Sequence, residues 1–196
     1  MKRNWVLVIL AGFLLTAVSF LTLHLHYEGI QQVLSQFQEQ QLTYAKHLSN
    51  QIQFFIQARS RGLRALSSFA SLQYGEATQR KLDIDTYAKQ IDKVYVKKIS
   101  LYDGAGRTVY STDPATMGSK KSEDKFFVWA RRGENRGKIS LTPLFPEPQS
   151  LTFILAIPLY QEALDSKYPS PTGKFMGVLT FTLDMKEFLV NQLGSV

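Results

Sequence analysis

Residues 96–112 read VKKISLYDGAGRTVYST, and this stretch predicts the fold class of the chain. Its first part alternates between apolar and polar residues around Ile99 and Leu101, as expected for a β-strand with one buried face. The DGAG sequence at 103–106 supplies two glycines, which readily adopt the positive φ of a tight hairpin turn. Residues 107–112 form the partner strand, so the stretch predicts an antiparallel hairpin rather than a phosphate or calcium loop.

Helices and further strands follow the hairpin. One predicted helix is KFFVWARR at 125–132, which Ser122 and the two acids after it open as N-cap and first turn and which Gly133 closes. Another short helix begins near Met185. Three more strands are predicted between proline- and glycine-containing loops: Lys138–Phe145, Leu151–Tyr160 and Phe175–Leu183. This order predicts an α+β fold, in which helices cover a five-stranded antiparallel sheet.

The N-terminus predicts a membrane anchor. Residues 5–23 read WVLVILAGFLLTAVSFLTL, which is long enough for a helix to cross a bilayer. Lys2 and Arg3 precede this run and no basic residue follows it before Lys46, which predicts a cytoplasmic N-terminus. A cleaved signal peptide and a buried core helix are the alternatives, but the segment that follows offers a poor cleavage site.

A long helix is predicted from residue 28 to about Tyr74, because this stretch lacks proline and is rich in Gln, Leu and Ala. Apolar residues at heptad spacing between Tyr27 and Leu72 predict a homodimer seam. A second stripe, which includes Leu63 and Leu66, predicts packing on a folded domain. The alternative is one amphipathic helix without a dimer. After this helix we expect a polar loop, QYGEATQRKLDID, and a short helix at 85–93.

Composition excludes several classes of function. The chain has no cysteine, and its three histidines, at 24, 26 and 47, lie outside the predicted sheet. No hydrolase, zinc-protease or Walker motif occurs, so we predict neither catalysis, nor a metal site, nor a cofactor. The net charge is +7, and its densest basic stretch is 120–138. We interpret this stretch as a solvated surface and expect no nucleic-acid partner.

Five motifs occur in an order that resembles the Cache family of extracytoplasmic sensor domains, which have a PAS-like fold. They are VKKISLYDGAGRTVYSTDP, MGSKKSEDKFFVWARR, GKISLTPLF, LTFILAIPLY and GKFMGVLTFTLDMKEFL, and they extend from about Tyr95 to Leu189. The resemblance implies a ligand-sensing domain of a bacterial membrane receptor, such as a sensor histidine kinase or a chemoreceptor.

The resemblance also implies a ligand pocket between the sheet and the segment that covers it, here residues 117–133. The candidate ligand-binding residues are Tyr102, Tyr110, Lys125, Phe127, Trp129, Arg131, Thr142, Phe153, Leu155 and Thr180. Because side chains alternate along a strand, we expect about half of the strand residues to point away from the pocket.

Three positions differ from the amino-acid-binding members that the chain resembles. Lys125-Phe-Phe replaces an Arg-x-Trp helix start, Thr142-Pro-Leu-Phe replaces a strand with a tyrosine, and Thr182 replaces a late aspartate. The sequence therefore does not support amino-acid recognition. A small carboxylate held by Lys125 or Arg131 is the alternative hypothesis.

The predicted organisation is a cytoplasmic N-terminus at 1–4, a transmembrane anchor at 5–25, a long helix at 26–80 and one Cache-like domain at 81–196. We expect a sensory module in the inner membrane with a periplasmic or extracellular domain, whose effector lies outside this chain. The alternative is a membrane-tethered dimeric interaction protein without a small-molecule ligand. A cavity beneath Phe127 and Trp129 favours the sensor, and a filled domain favours the interaction protein.

Overall fold

The computed structural model describes residues 2–74, 77–91, 94–144, 151–162 and 171–193, and leaves out the side chains of residues 2–11, 144 and 193. The chain divides into two compact units, Met1–Gln53 and Phe54–Val196. We call the second unit the head.

A single helix, α1 (Lys2–Ser67), accounts for the N-terminal third of the chain. The prediction of a long helix is confirmed, but its continuation to Tyr74 is wrong. The hydroxyls of Ser67 and Ser68 donate to carbonyl oxygens of the preceding turn at 2.8 and 2.7 Å, and such local bonds compete with helix propagation. The helix therefore ends there, and a short α2 (Ala70–Tyr74) follows.

The two apolar stripes of α1 have different surroundings. Leu63 and Leu66, in the second predicted stripe, are fully buried in the head. Phe55 and Leu72, in the predicted dimer seam, are also buried there. Ala65 and Phe69, two later positions of the predicted seam, are exposed, so burial interrupts the seam at Phe55 and Leu72.

No helix within the described part of the chain combines the length and the hydropathy that a membrane span requires. The predicted anchor at 5–25 begins among residues whose side chains lie outside the description, since these are left out up to residue 11.

Helix α3 (Ala77–Gln90) replaces most of the polar loop that the sequence predicted. Its residues are mostly good helix formers, but its one fully buried side chain is Ile84. Tyr87, one turn later, stacks on Phe181 of the sheet with ring centroids 5.7 Å apart. Such a narrow buried stripe produces little hydrophobic periodicity, which explains the wrong prediction. The predicted helix at 85–93 is the second half of α3, and residues 92–93 lie outside the described residues.

The prediction of a five-stranded antiparallel sheet is confirmed. Its strands are β1 (Val96–Asp103), β2 (Thr108–Ser111), β3 (Ser140–Leu144), β4 (Thr152–Tyr160) and β5 (Phe175–Asp184). They lie in the order β2-β1-β5-β4-β3, and helix α5 (Met185–Leu193) directly follows β5. The DGAG turn closes the β1–β2 hairpin, because the Asp103 carboxylate accepts hydrogen bonds from the amides of Ala105 and Arg107 at 2.9 and 2.8 Å.

The sheet packs against other elements on both sides. On one side, Tyr102, Ile154 and Val178 contact helix α4 (Lys125–Ala130), and we call this the α4 side. On the other, Leu155 and Phe181 are direct neighbours across β4 and β5 and face Tyr87, and we call this the α3 side. The two sides follow from the alternation of side chains along each strand.

Candidate functional site

The segment that covers the α4 side consists mostly of turns around one short helix. Helix α4 begins after Asp124, whose carbonyl oxygen accepts hydrogen bonds from the amides of Phe127 and Val128 at 2.9 and 3.0 Å. The helix starts at Lys125, as the predicted helix KFFVWARR does, but its N-cap is Asp124 instead of Ser122. It ends at Ala130, two residues before the predicted end, and a separate 3-10 turn follows at Gly133–Asn135.

Asn135 fixes the end of this segment. Its buried side-chain amide donates to the carbonyl oxygen of Trp129 at 2.8 Å. This bond satisfies a carbonyl that the short helix leaves without an intrahelical partner. The covering segment is thus held by polar contacts at its end and by apolar packing at its centre.

Beneath α4 lies an apolar cluster, formed by Tyr102, Phe126, Phe127, Ala130, Ile154, Ala156 and Val178, with Trp129 and Phe175 packed against it. Phe127 has no exposed surface. The rings of Tyr102 and Phe126 lie 5.3 Å apart, and those of Phe127 and Phe175 lie 6.3 Å apart. In this conformation the space beneath Phe127 is therefore filled by side chains.

Next to the apolar cluster lies a hydroxyl cluster, which we define as Ser100, Ser111, Thr116 and Thr180. The Oγ atoms of Ser100 and Ser111 are 3.1 Å apart, and Thr116 donates to Ser111 at 2.8 Å. Thr180 donates to the carbonyl oxygen of Ser100 at 3.3 Å. Ser100 and Thr180 are each only 1% exposed. Buried hydroxyls need such partners, and they offer directional contacts to any polar molecule that enters.

Tyr102 connects the apolar and hydroxyl clusters. Burial raises the pKa of its phenol, and the negative charge of Asp124 adds to that rise. Hydrogen bonds with the side chains of Ser100 and Thr180 oppose the rise in pKa. The phenol therefore stays neutral near physiological pH and can both donate and accept a hydrogen bond.

The structure divides the ten predicted ligand-binding residues among three places. Those on the α4 side are Tyr102, Phe127, Trp129, Thr142 and Thr180. Lys125 and Arg131 are exposed at the two ends of α4. The strand registers put Tyr110, Phe153 and Leu155 on the α3 side, because they pair with residues of that side. These three residues cannot contribute to the same site as Thr180.

A second concave region lies on the α3 side. It is a cavity of about 700 Å³ between α3 and the edge formed by β1 and β2, and Tyr110 is part of its wall. The Tyr110 hydroxyl donates to the carboxylate of Asp85 in α3. Burial raises the pKa of Tyr110, and the hydrogen bond and charge of Asp85 raise it further. The sequence did not indicate this cavity, although three residues of its α3 wall, Asp85, Ala88 and Lys89, lie in the helix predicted at 85–93.

No group of three or more potential metal ligands occurs among the described residues.

Comparison with known proteins gives structural matches only. No family model matches the chain, and no curated protein does. Among solved structures, the chain is similar to the ligand-binding domain of the Campylobacter jejuni chemoreceptor Tlp3 in complex with 4-methylisoleucine. The identity is 14%, the TM-score is 0.51, and the match covers 69% of this chain and 54% of that one.

Two further solved structures extend this comparison. The Tlp3 domain in complex with L-norvaline matches with 15% identity and a TM-score of 0.51, over 69% of this chain and 53% of that one. The sensor domain of the Vibrio cholerae histidine kinase DctB matches with 14% identity and a TM-score of 0.37, over 70% and 58%. The chain thus spans about half the length of the Tlp3 domain. The fold that the resemblance to Cache sensor domains implied is confirmed by the two Tlp3 structures, and at this identity the likeness shows the fold alone.

Proposed function

We propose that this chain is the extracytoplasmic, ligand-binding sensory module of a bacterial signal-transduction receptor, such as a sensor histidine kinase or a chemoreceptor. The observation that carries the proposal is the buried hydroxyl cluster beneath a turn-rich covering segment, on a sheet whose fold resembles the Tlp3 ligand-binding domain. Polar side chains that are 1% exposed, beside an apolar cluster, give a potential site both specificity and a dry environment.

The proposed ligand lies between the sheet and α4. Tyr102 and Thr180 supply hydrogen bonds, Phe127 and Trp129 supply apolar cover, and Thr142 lies farther along the same side. Because Phe127 is fully buried, a ligand can enter only if the covering segment moves outward. We therefore propose two states of this segment, and the ligand favours the open one by its differential affinity.

We propose a small molecule, in particular a small carboxylate, as the ligand class. Lys125 and Arg131 are exposed at opposite ends of α4, and either could approach a carboxylate when the segment moves. The Tlp3 domain was solved with 4-methylisoleucine and with L-norvaline, two amino acids that have aliphatic side chains. Amino acids are the weaker candidate here. The amino-acid-binding members resemble one another in an arginine and an aspartate at the positions that Lys125 and Thr182 occupy in this chain.

We further propose that residues 5–25 anchor the chain in the inner membrane, with the N-terminus in the cytoplasm and the head outside. Lys2 and Arg3 before an uncharged run support this orientation. Under this proposal, the chain stays in the membrane fraction after alkaline extraction, and the head is accessible to protease from outside. Release by alkali contradicts the anchor.

A homodimer through α1 completes the proposal. Tyr27, Ile30, Leu34 and Phe37 share one face of the helix at heptad spacing, and their exposed fractions range from 45% to 62%. Large apolar side chains in a continuous exposed row favour burial against a second helix. The burial of Phe55 in the head limits the proposed seam to residues that precede it.

The second candidate function is a dimeric interaction protein tethered to the membrane without a small-molecule ligand. One observation favours it: the space beneath Phe127, where the sensor proposal requires a ligand, is filled by Tyr102, Ile154 and Val178. Under this alternative, the filled cluster is a permanent core, and α4 does not move.

A thermal-shift screen of the full chain in detergent separates these candidates. The compounds are small carboxylates, amino acids, amines, nucleobases and sugars. At about 100 times its dissociation constant, a ligand stabilises the folded state by about 2.7 kcal/mol, which corresponds to an increase in Tm of several degrees. The sensor proposal predicts such an increase for one chemical class. No shift in any class, for a chain that melts cooperatively, favours the interaction protein.

A pair of variants tests where the ligand binds. Thr180→Val keeps the side-chain shape and removes a buried hydroxyl, so we expect about a tenfold loss of affinity, as for one hydrogen bond. Thr86→Val, on the exposed surface of α3, makes the same chemical change away from the site and should leave affinity unchanged. Equal affinity of both variants means that the ligand does not bind at the hydroxyl cluster.

A further inference from the structure

The cavity between α3 and the β1–β2 edge lies on the opposite side of the sheet from the proposed ligand site. It has a volume of about 700 Å³, within the range of roughly 300–1,000 Å³ for small-molecule pockets. Its floor is apolar and comes from the sheet, where Val96 and Ile99 are 4% and 1% exposed. Ala88 of α3 and Met117 add further apolar surface to its walls.

The rim of this cavity is positively charged. Lys81, Lys89 and Lys97 line it, and Asp85 is the single acidic residue among those of its lining residues that the structure describes. The Asp85 carboxylate accepts a hydrogen bond from Tyr110, so part of its hydrogen-bonding capacity is already used within the protein.

One of the three lysines has an ion-pair partner. Lys97 lies 3.7 Å from a carboxylate oxygen of Asp184, which is outside the cavity. Lys81 and Lys89 form no ion pair with any residue of the described ranges. The cavity thus offers two free ammonium groups beside an apolar floor.

The helical geometry of α3 explains this arrangement. Lys81, Asp85 and Ala88 are spaced by four and three residues, so they share one face of the helix, and Lys89 lies next to that face. Ile84 and Tyr87 lie on a different face, where Ile84 is fully buried and Tyr87 stacks on Phe181. One face of α3 therefore fixes the helix to the head, and another faces the cavity.

We propose that this cavity binds a small amphipathic organic anion. Its apolar body lies over Ile99 and Ala88, and its carboxylate or similar anionic group contacts Lys89 or Lys81. Such a molecule requires an apolar floor, because its apolar part loses hydration on binding. It also requires a complementary charge, because its anionic group needs a charged partner once it leaves water. Ser111 of the hydroxyl cluster and Met117 of the covering segment also line this cavity, but the contacts proposed for the anion come from α3 and from the α3 side of the sheet. The proposal does not depend on the function proposed for the α4 side.

Isothermal titration calorimetry of the full chain in detergent tests the proposal with three probes: trans-cinnamate, hexanoate and indole-3-acetate. Cinnamamide, which is neutral, serves as the comparison for charge, and empty micelles give the background. We expect at least one of the three anions to bind. If cinnamate binds, neutral cinnamamide should bind at least tenfold more weakly. Absence of binding tighter than about 10 mM for all three anions overturns the proposal.

Variants of α3 locate the binding site. Ala88→Glu introduces a negative charge on the cavity wall and should abolish binding, while Lys89→Gln should weaken it about tenfold. Gln90→Glu introduces the same charge at an exposed position outside the cavity lining and should leave affinity within twofold. Thr180→Val, on the other side of the sheet, should have no effect. Unchanged binding to Ala88→Glu, in a variant that melts like the original protein, means that the anion binds elsewhere and overturns the proposal.

Discussion

Gly177 occupies a position in β5 that no other residue fits. Its φ is +148°, and a Cβ atom there would lie 1.8 Å from the carbonyl oxygen of Tyr102 in the neighbouring strand. The three nearest atoms all belong to the backbone of Tyr102 and Asp103, so no flexible side-chain end can move away. Gly177 therefore permits the close pairing of β1 and β5 at this point.

We predict that Gly177→Ala destabilises the chain by about 3 kcal/mol or more, measured by urea unfolding, because it combines backbone strain with a clash. Gly118→Ala is the matched control, since its φ is +74° and no atom lies within 4 Å of the added Cβ. Gly118→Ala should lower the free energy of unfolding by only about 1 kcal/mol, because it adds a strained φ without a clash. Similar losses for both variants would show that the contact with Tyr102 is easily relieved.

Single residues also show what the sequence could not predict about the site. Tyr102 and Tyr110 are both aromatic strand residues of the same hairpin, yet they lie on opposite sides of the sheet. The β1–β2 register is irregular between Leu101 and Tyr102. A shift of one residue moves every later side chain to the other side, so alternation in the sequence cannot decide between the two tyrosines.

Among the elements, those with strong patterns were predicted most accurately. Strand β4 was predicted at Leu151–Tyr160 and is observed at Thr152–Tyr160. The prediction was accurate because breaker residues bound the long apolar run. The first half of helix α3 was predicted as a loop because its one fully buried side chain is Ile84. Packing against the sheet, rather than the local sequence pattern, stabilises such a polar segment as a helix.

Helix α5 is attached to the head by an aromatic cluster. Phe188 lies 4.5 Å from the Phe55 ring of α1 and 6.0 Å from the ring of Tyr95, measured between ring centroids. The guanidinium of Arg59 lies 5.2 Å from the centroid of the Phe55 ring. These contacts join α1, the start of the sheet and α5 at one place, so a change in the sheet can reach both helices.

We predict that Phe188→Ala destabilises the head by about 3 kcal/mol, the usual cost of removing a buried aromatic ring. A double-mutant cycle with Phe55→Ala should give a coupling of about 1 kcal/mol for the pair. Val190→Ala, at a residue that is 56% exposed in the same helix, should change stability by less than about 0.5 kcal/mol. Additive effects of the two phenylalanine variants would contradict direct packing between α1 and α5.

At the scale of the whole molecule, the proposed homodimer depends on the exposed apolar row of α1. We predict that Leu34→Glu shifts the chain from dimer to monomer in sedimentation experiments in detergent, because it introduces like charges into the proposed seam. Gln32→Glu adds the same charge on the opposite face of the helix and should leave the dimer intact. A dimer that persists in Leu34→Glu would exclude this row as the seam.

Strand β5 comes last in sequence among the strands of the described residues, yet it occupies the centre of the sheet, between β1 and β4. While the protein is being synthesised, the β1–β2 and β3–β4 hairpins can form as soon as they leave the ribosome, but they have no hydrogen bonds to each other. Isolated hairpins are marginally stable in water, and pairing between distant segments is slow. The nascent head therefore cannot complete its core until Asp184 has emerged, and until then its apolar strands remain open to chaperones and to aggregation.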